Sequence, residues 1–317
     1  MYRHLLVPVD GADASIEALG QAVEFAQSIG ARITFCPLSD GLAAPRADAE
    51  TDGAAQAADA DIASELLARA EAAARAQGVP CSSAAPGVGT PLPSLAVAAR
   101  AHGCDLICVT PKQQARSNGT AAHSASTSDG DGYDSGIAVL TCAIDPRPSV
   151  ARAIGILLSG QRAIASLVHA ALRAVREARV PGERHEAASL REIVMRLGEL
   201  QGPRHCLMTE ALFARLRERT STVAAELDEL ERQHQRAAQM HHELAALVAS
   251  DQESVATGAR LEEALNACAQ FTWEHMGREE GVVLPAARRY LRDADWNTLS
   301  EAFAALAAGK LPRTPTL

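Results

Sequence analysis

The clearest chemical potential lies in Gln270 to Pro285, QFTWEHMGREEGVVLP, where a histidine and an adjacent pair of glutamates enter a segment of helical apolar period. At about 100° per residue, Ala264, Cys268, Phe271, His275, Glu279 and Val282 fall within about 40° of one line. His275 and Glu279 therefore face inward, while Glu280, about 140° from His275, should face solvent or a neighbouring helix. A bundle interior takes up an imidazole four residues from a carboxylate at a desolvation cost. A hydrogen-bonded pair or a metal ion can offset it, and the motif alone leaves both open.

The helices around this stretch set what could join it. Ala151 to Ala178 carries Ile154, Leu157, Leu158, Ile164, Ala165, Val168, Leu172 and Val175 on one stripe, with Gln161 at its centre and His169 at its edge. Glu186 to Arg219 is interrupted at Gly202-Pro203, which must break or kink it. In its second part His205 can face inward with Met208, Leu212 and Leu216; Thr209 stands four residues on, where a partner carboxylate would sit, and Glu210 points away. Thr220 to Ala249 puts Val223, Leu227, Leu230, His234, His241, Ala245 and Val248 on one line, with His242 to the side. His234 and His241 are about 10.5 Å apart in rise, far for ligands of one ion. Pro285 and a helix from Trp296 to Ala307 close the chain.

The first half has another pattern. Arg3 to Val9 is a β-rich run ending in Asp10-Gly11, Ser15 to Ile29 is a helix, and Arg32 to Leu38 is a buried strand. Asp40 to Ala54 reads as a loop, Ala55 to Gln77 and Leu92 to His102 as helices, Cys81 to Val88 as a weak strand and Asp105 to Thr110 as a strong one. Such alternation builds a parallel sheet with helices on both faces. The boundary falls in 144–150, where Pro146 and Pro148 stiffen the chain, giving domains at 1–143 and 151–317.

With 317 residues the chain can bury two cores, and a net charge of -9 with scattered basic residues points away from nucleic acid and acidic membranes. No uninterrupted apolar run approaches the ~20 residues of a membrane span. The N-terminus reads as a strand rather than a signal peptide, so a cytoplasmic location is expected. The seven cysteines form no paired framework and should be free and mostly buried. Cys104 and Cys108, four apart on the strong strand, should share one face as core packing.

LLVPVDGADASIEALGQAVEFAQSIGARITF and AARAHGCDLICVTP resemble the universal stress protein family, over Met1 to Ala143. The resemblance implies a Rossmann-like α/β parallel sheet and homodimers, with Gly136 to Ala143 as the closing edge strand. It would place Asp10 beside the adenine pocket of the members that bind ATP. Those members carry G-x2-G-x9-G-Ser/Thr after the fourth strand to cradle phosphates. The segment here, 111–135, lacks that spacing; Gly119-Thr120 alone is no phosphate loop. ATP is therefore not expected, and Asp10 reads as a turn residue.

Four helices with inward His and Glu, together with LFARLRERT and WEHMGREEGVVLPAARRYL, resemble the hemerythrin-type cation-binding domain over about Ala151 to Leu306. The resemblance implies an all-α up-down four-helix bundle holding two iron atoms, with histidines from all four helices and bridging carboxylates from H-x3-E motifs on the second and fourth. His275 and Glu279 match the fourth-helix pair, and His234 matches the third-helix histidine preceded by E-x-Q. The first-helix ligand is replaced by Gln161, within Gly160-Gln161-Arg162. On the second helix, registering on Leu212-Phe213 keeps His205 but puts Met208 and Thr209 in the carboxylate positions; registering on Pro203 puts Gln201 and Gly202 in the histidine positions. Ala238 stands where oxygen carriers have a second third-helix histidine.

The expectation is a stress-associated two-domain protein whose bundle binds or senses iron, dioxygen or redox state at a partly degraded site. That site is mononuclear or a weakened di-iron centre built on His234, His275 and Glu279, with His205, His241 and Gln161 as further candidates. The alternatives are a non-haem iron oxidase or peroxidase, which would need intact bridging carboxylates and an open coordination position, and a metal-free interaction protein.

Overall fold

A computed structural model describes residues 2–38, 53–84, 92–114, 137–177, 187–249 and 255–309. The chain forms two compact units, one of Met1–Asp145 with Gly277–Pro285, the other of Pro146–Met276 with Ala286–Leu317.

In the first unit β1 (His4–Val9), β2 (Arg32–Pro37), β3 (Cys81–Ser83), β4 (Leu106–Val109) and β5 (Ala138–Thr141) form one sheet in the order β3-β2-β1-β4-β5. Every pairing is parallel. α1 (Asp13–Ile29), α2 (Gly53–Ala76) and α3 (Leu92–Ala101) are the crossovers. β1 is buried throughout because it is covered on both faces, as its unbroken apolar run requires. Leu5, Val7 and Val9 join α1 and α2 residues in one cluster, while Leu6 joins Leu95 and Ala99 of α3 in another. The segment 111–135 is described only as far as Gln114, so the expected replacement of the phosphate loop lies outside the described residues.

One expectation is overturned. Cys104 belongs to the Leu6 cluster and Cys108 to the Leu5 cluster, on opposite faces. β4 starts only at Leu106. Cys104 lies before it, just after Gly103 at φ 65°, so strand alternation does not reach back to it.

The segment Gly277–Pro285 includes a π-helical stretch, Glu279–Val283, which continues into α9 (Leu284–Tyr290). Within the first unit Glu280 is 3 % exposed and its carboxylate accepts from Arg69 of α2, which also donates to Glu65 at 2.6 Å. Of the two orientations expected for Glu280, the one toward a helix is realised. Burial pushes its carboxyl up, and the Arg69 guanidinium opposes this. Small residues permit the approach. A Cβ on Gly277 would collide with the Arg69 carbonyl and one on Gly281 with the Ala73 backbone, and Gln77 donates to the Gly281 carbonyl. We expect Gly281→Ala to destabilise the protein by about 1–3 kcal/mol in denaturant unfolding. Gly258→Ala, with open space at its Cβ, should be neutral or slightly stabilising. Glu280→Ala, which leaves the buried Arg69 guanidinium with Glu65 as its remaining carboxylate partner, should cost about 3 kcal/mol.

The regular elements of the second unit are all helices among its described residues, as expected of a bundle. It comprises α4 (Pro148–Glu177), α5 (Ala187–Glu199), a π segment (Leu200–His205), α6 (Cys206–Arg219), α7 (Ala224–Ala249), α8 (Val255–Arg278) and α10 (Asp293–Ala307). α4 packs on α5 and α10, and α5 on α7. By length and composition α4 could cross a membrane, which corrects the reading of apolar runs. Ser159-Gly160-Gln161-Arg162 interrupts the run without lowering its mean hydropathy enough, and Ile154, Leu157, Ile164 and Val168 are buried. Gly202-Pro203 neither ends the helix nor leaves it α-helical. It sits in a π-helical segment, Leu200–His205, that runs on into the following helix.

At the start of α10, Asp295 accepts from the Arg292 amide at 2.9 Å and from Arg219 in a fork, at 2.9 and 2.8 Å. The Arg219 hydrogen bonds hold its carboxyl down at about 2, below the ordinary 3.8. Its folded value lies below its unfolded one, so its stabilisation is present at neutral pH and lost as pH falls from about 4 through 2. A thermal midpoint measured against pH should show a steeper loss over that window in the wild type than in Asp295→Asn.

Candidate metal centre

Four side chains converge. His205 closes the π segment after α5, His234 lies on α7, and His275 lies on α8 with Glu279 one turn further along the same continuous helix. One ligand atom from each lies within 4.8 Å of the others. The His234 and His275 rings are 4.9 Å apart between centroids, His205 and His275 5.8 Å, and His205 and His234 6.1 Å. His205, His275 and Glu279 are buried and His234 is half-buried.

The surroundings orient these groups. Nδ1 of His275 lies 3.0 Å from Oε1 of Gln233, an acceptor, so Nδ1 carries the proton and Nε2 keeps its lone pair. Gln233 is itself oriented by its amide donating to Glu229 at 3.2 Å. Phe213 stacks on the His234 ring with 6° between planes. Thr209 occupies the position four residues past His205, as the sequence reading places it. Its hydroxyl lies 3.2 Å from the His205 carbonyl and 3.4 Å from Nε2 of His234, and it supplies no negative charge.

Of the other candidates, His241 lies outside this group. Nε2 of His241 is hydrogen-bonded to Oε1 of Gln201, whose amide donates to Thr272 at 3.0 Å. Burial pushes the His241 imidazole down. The separation in rise from His234 is the reason His241 is outside the cluster. Gln161 is fully buried on α4, one turn before Ile164. Ile164, Gln201, His205, His234, Phe271 and His275 line a cavity of about 20 Å³, room for a water-sized molecule. The edge residue His169 stacks on Trp273 at 5.4 Å.

The sequence reading did not assign roles to Gln233 or Gln201. Gln233 stands directly before His234, inside the E-x-Q motif, which was the available signal. Registering on Pro203 put Gln201 in a histidine position, but its approach to His241, across 40 positions of chain, could not be read from spacing.

The donor set suits a cation. Three imidazoles and a carboxylate accommodate borderline metals such as iron or zinc. Bonds of about 2.1 Å put ligand atoms about 3.4 Å apart in a tetrahedral set and about 4.2 Å apart across an octahedral one, so a spread of 4.8 Å would contract by about 0.6–1.4 Å on binding. In the first unit Asp10 does what a turn residue does. It accepts from the Ala12 amide at 3.0 Å and from the Gln113 amide at 3.0 Å, tying the loop after β1 to the segment after β4.

Comparison with known proteins finds two families along the chain. Residues 1–129 match the model of the Universal stress protein family, and residues 154–287 match that of the Hemerythrin HHE cation binding domain. A crystal structure of a protein from the universal stress protein family of Burkholderia pseudomallei is 23 % identical. It covers 45 % of this chain and 97 % of its own, at a TM-score of 0.35. No curated protein matches the chain. The chain therefore carries a universal stress protein domain at residues 1–129 and a hemerythrin HHE cation-binding domain at residues 154–287.

Proposed function

We propose that the protein binds one redox-active cation, iron, through His205, His234, His275 and Glu279, and that it is a cytoplasmic, stress-associated sensor or binder of iron, dioxygen or redox state. The convergence of those four ligand atoms carries this reading. A single ion is favoured over two by charge. The cluster has one carboxylate, the place of a second is taken by Thr209, and Glu280 is committed to Arg69. Two divalent ions against one carboxylate would repel each other with little compensation.

An iron ion bound there would supply reversible one-electron chemistry and Lewis acidity. The protein's own part is to present Nε2 of His275 through the Gln233 hydrogen bond and to keep Glu279 in a dry interior. The walls of the cavity admit only a small molecule beside the rings. These features fit binding and sensing better than turnover of a larger substrate.

Protein purified without added metal should carry about one iron per chain by elemental analysis. His275→Ala and Glu279→Gln should each remove most of it. No metal in the wild type, or undiminished metal in His275→Ala, would sink the proposal. Two irons per chain with oxo-bridged diferric absorption would show a dinuclear centre instead. Gln233→Leu should lower iron affinity about 10–100-fold, read by competition with a chelator, while leaving the ligand set intact.

A further inference from the structure

Two carboxylates stand side by side in the chain at Glu279 and Glu280, and only Glu279 belongs to the four-ligand cluster. Both are buried, at 1 % and 3 % exposure. Adjacent residues of a helical stretch point roughly a quarter-turn apart, so rotation of this π-helical segment about its axis would exchange their directions. The cation's ligand set therefore depends on what fixes that rotation.

Arg69 of α2 grips both oxygens of Glu280, with Nη2 donating to Oε1 and Nε to Oε2 at 3.4 Å, while its Nη1 donates to Oε1 of Glu65 at 2.6 Å. All three side chains are buried. A guanidinium is planar and its donors are directional, so this fork sets the orientation of the Glu280 carboxylate as well as balancing its charge. Contacts on either side leave the segment little freedom. A Cβ on Gly277 would strike α2 at Arg69 and one on Gly281 would strike it at Ala73. The Gly281 carbonyl accepts from Gln77, and Pro285 lies against Gly20 of α1.

We propose, resting on Glu279 as a cation ligand, that Arg69 is a positioning residue for the site: by holding Glu280 against α2 it commits that carboxylate elsewhere and presents Glu279 to the cation. Arg69 acts only through Glu280, unlike Gln233, which bonds directly to a ligand imidazole. Without the guanidinium, Glu280 would be a buried carboxylate short of a partner. Rotation of the segment toward the cation would supply one at the expense of Glu279. The side chain of residue 69 thus governs which of two neighbouring carboxylates serves the ion, and through that the ion's affinity.

The test measures ferrous iron binding by the full chain under anaerobic conditions, in competition with a chelator, with a circular dichroism spectrum and thermal midpoint for every variant. Arg69→Leu should weaken binding about 10–100-fold, the range for losing a group that supports a ligand from behind. Arg69→Lys keeps the charge but not the fork, and should recover only part of that loss. Glu280→Gln retains an oxygen acceptor for the guanidinium and should weaken binding far less than Arg69→Leu. In the Arg69→Leu background, Glu279→Gln should cost less than it does in the wild type, because Glu279 is already misplaced. Ile33→Val, in the buried core of the sheet, lowers stability without touching the segment and should leave affinity unchanged. If Arg69→Leu does not fold, Arg69→Lys takes its place in the comparison with Glu280→Gln and Glu279→Gln. Unchanged affinity in the folded Arg69 variant, Glu280→Gln as harmful as Glu279→Gln, or effects of the Arg69 and Glu279 changes that simply multiply would each overturn the proposal while leaving the cation site standing. A wild type that binds no iron would overturn both.

Discussion

Imidazole and carboxylate groups survive burial only where other polar groups or a cation offset the water they lose. In this protein that requirement organises the interior of the second unit and part of the first. His275 leans on Gln233, His241 on Gln201, and Gln201 on Thr272, so the interior holds hydrogen-bonded chains around the four-ligand cluster. Thr209, standing where a partner carboxylate would sit, brings no negative charge to this interior, and the cluster holds a single carboxylate, Glu279.

Each π segment adjoins a cluster residue, His205 at the end of one and Glu279 at the start of the other. A π turn shifts the phase of everything beyond it and often marks a functional position. At Glu279-Glu280 both adjacent carboxylates are thereby buried, one among the histidines and the other against Arg69. Glycines at 277 and 281 supply the clearance that full burial of this stretch demands.

Much of this was legible in the residues. Period and length marked the strands and helices to within a few positions, and the i, i+4 spacing of His275 and Glu279 placed both on an inner face. His205, a secondary candidate, and His234 joined them in the structure, whereas His241 did not. Cys104 and Cys108 were misread because alternation was extended through a residue that precedes the strand. Register between strands, which sets Cys108 opposite Leu140, depends on hydrogen bonding between segments distant in the chain.

The sequence by itself determined the two-part organisation, the helical faces and the identity of the inward imidazoles, because local periodicity dictates which side chains share a side of a helix or strand. Only the tertiary structure decided which of those side chains touch. Contacts such as Arg69 with Glu280 and Gln201 with His241 join positions separated by many residues, and phase errors at the π turns accumulate beyond what spacing can track. Periodicity is a property of neighbours in the chain, whereas a site is made by neighbours in space.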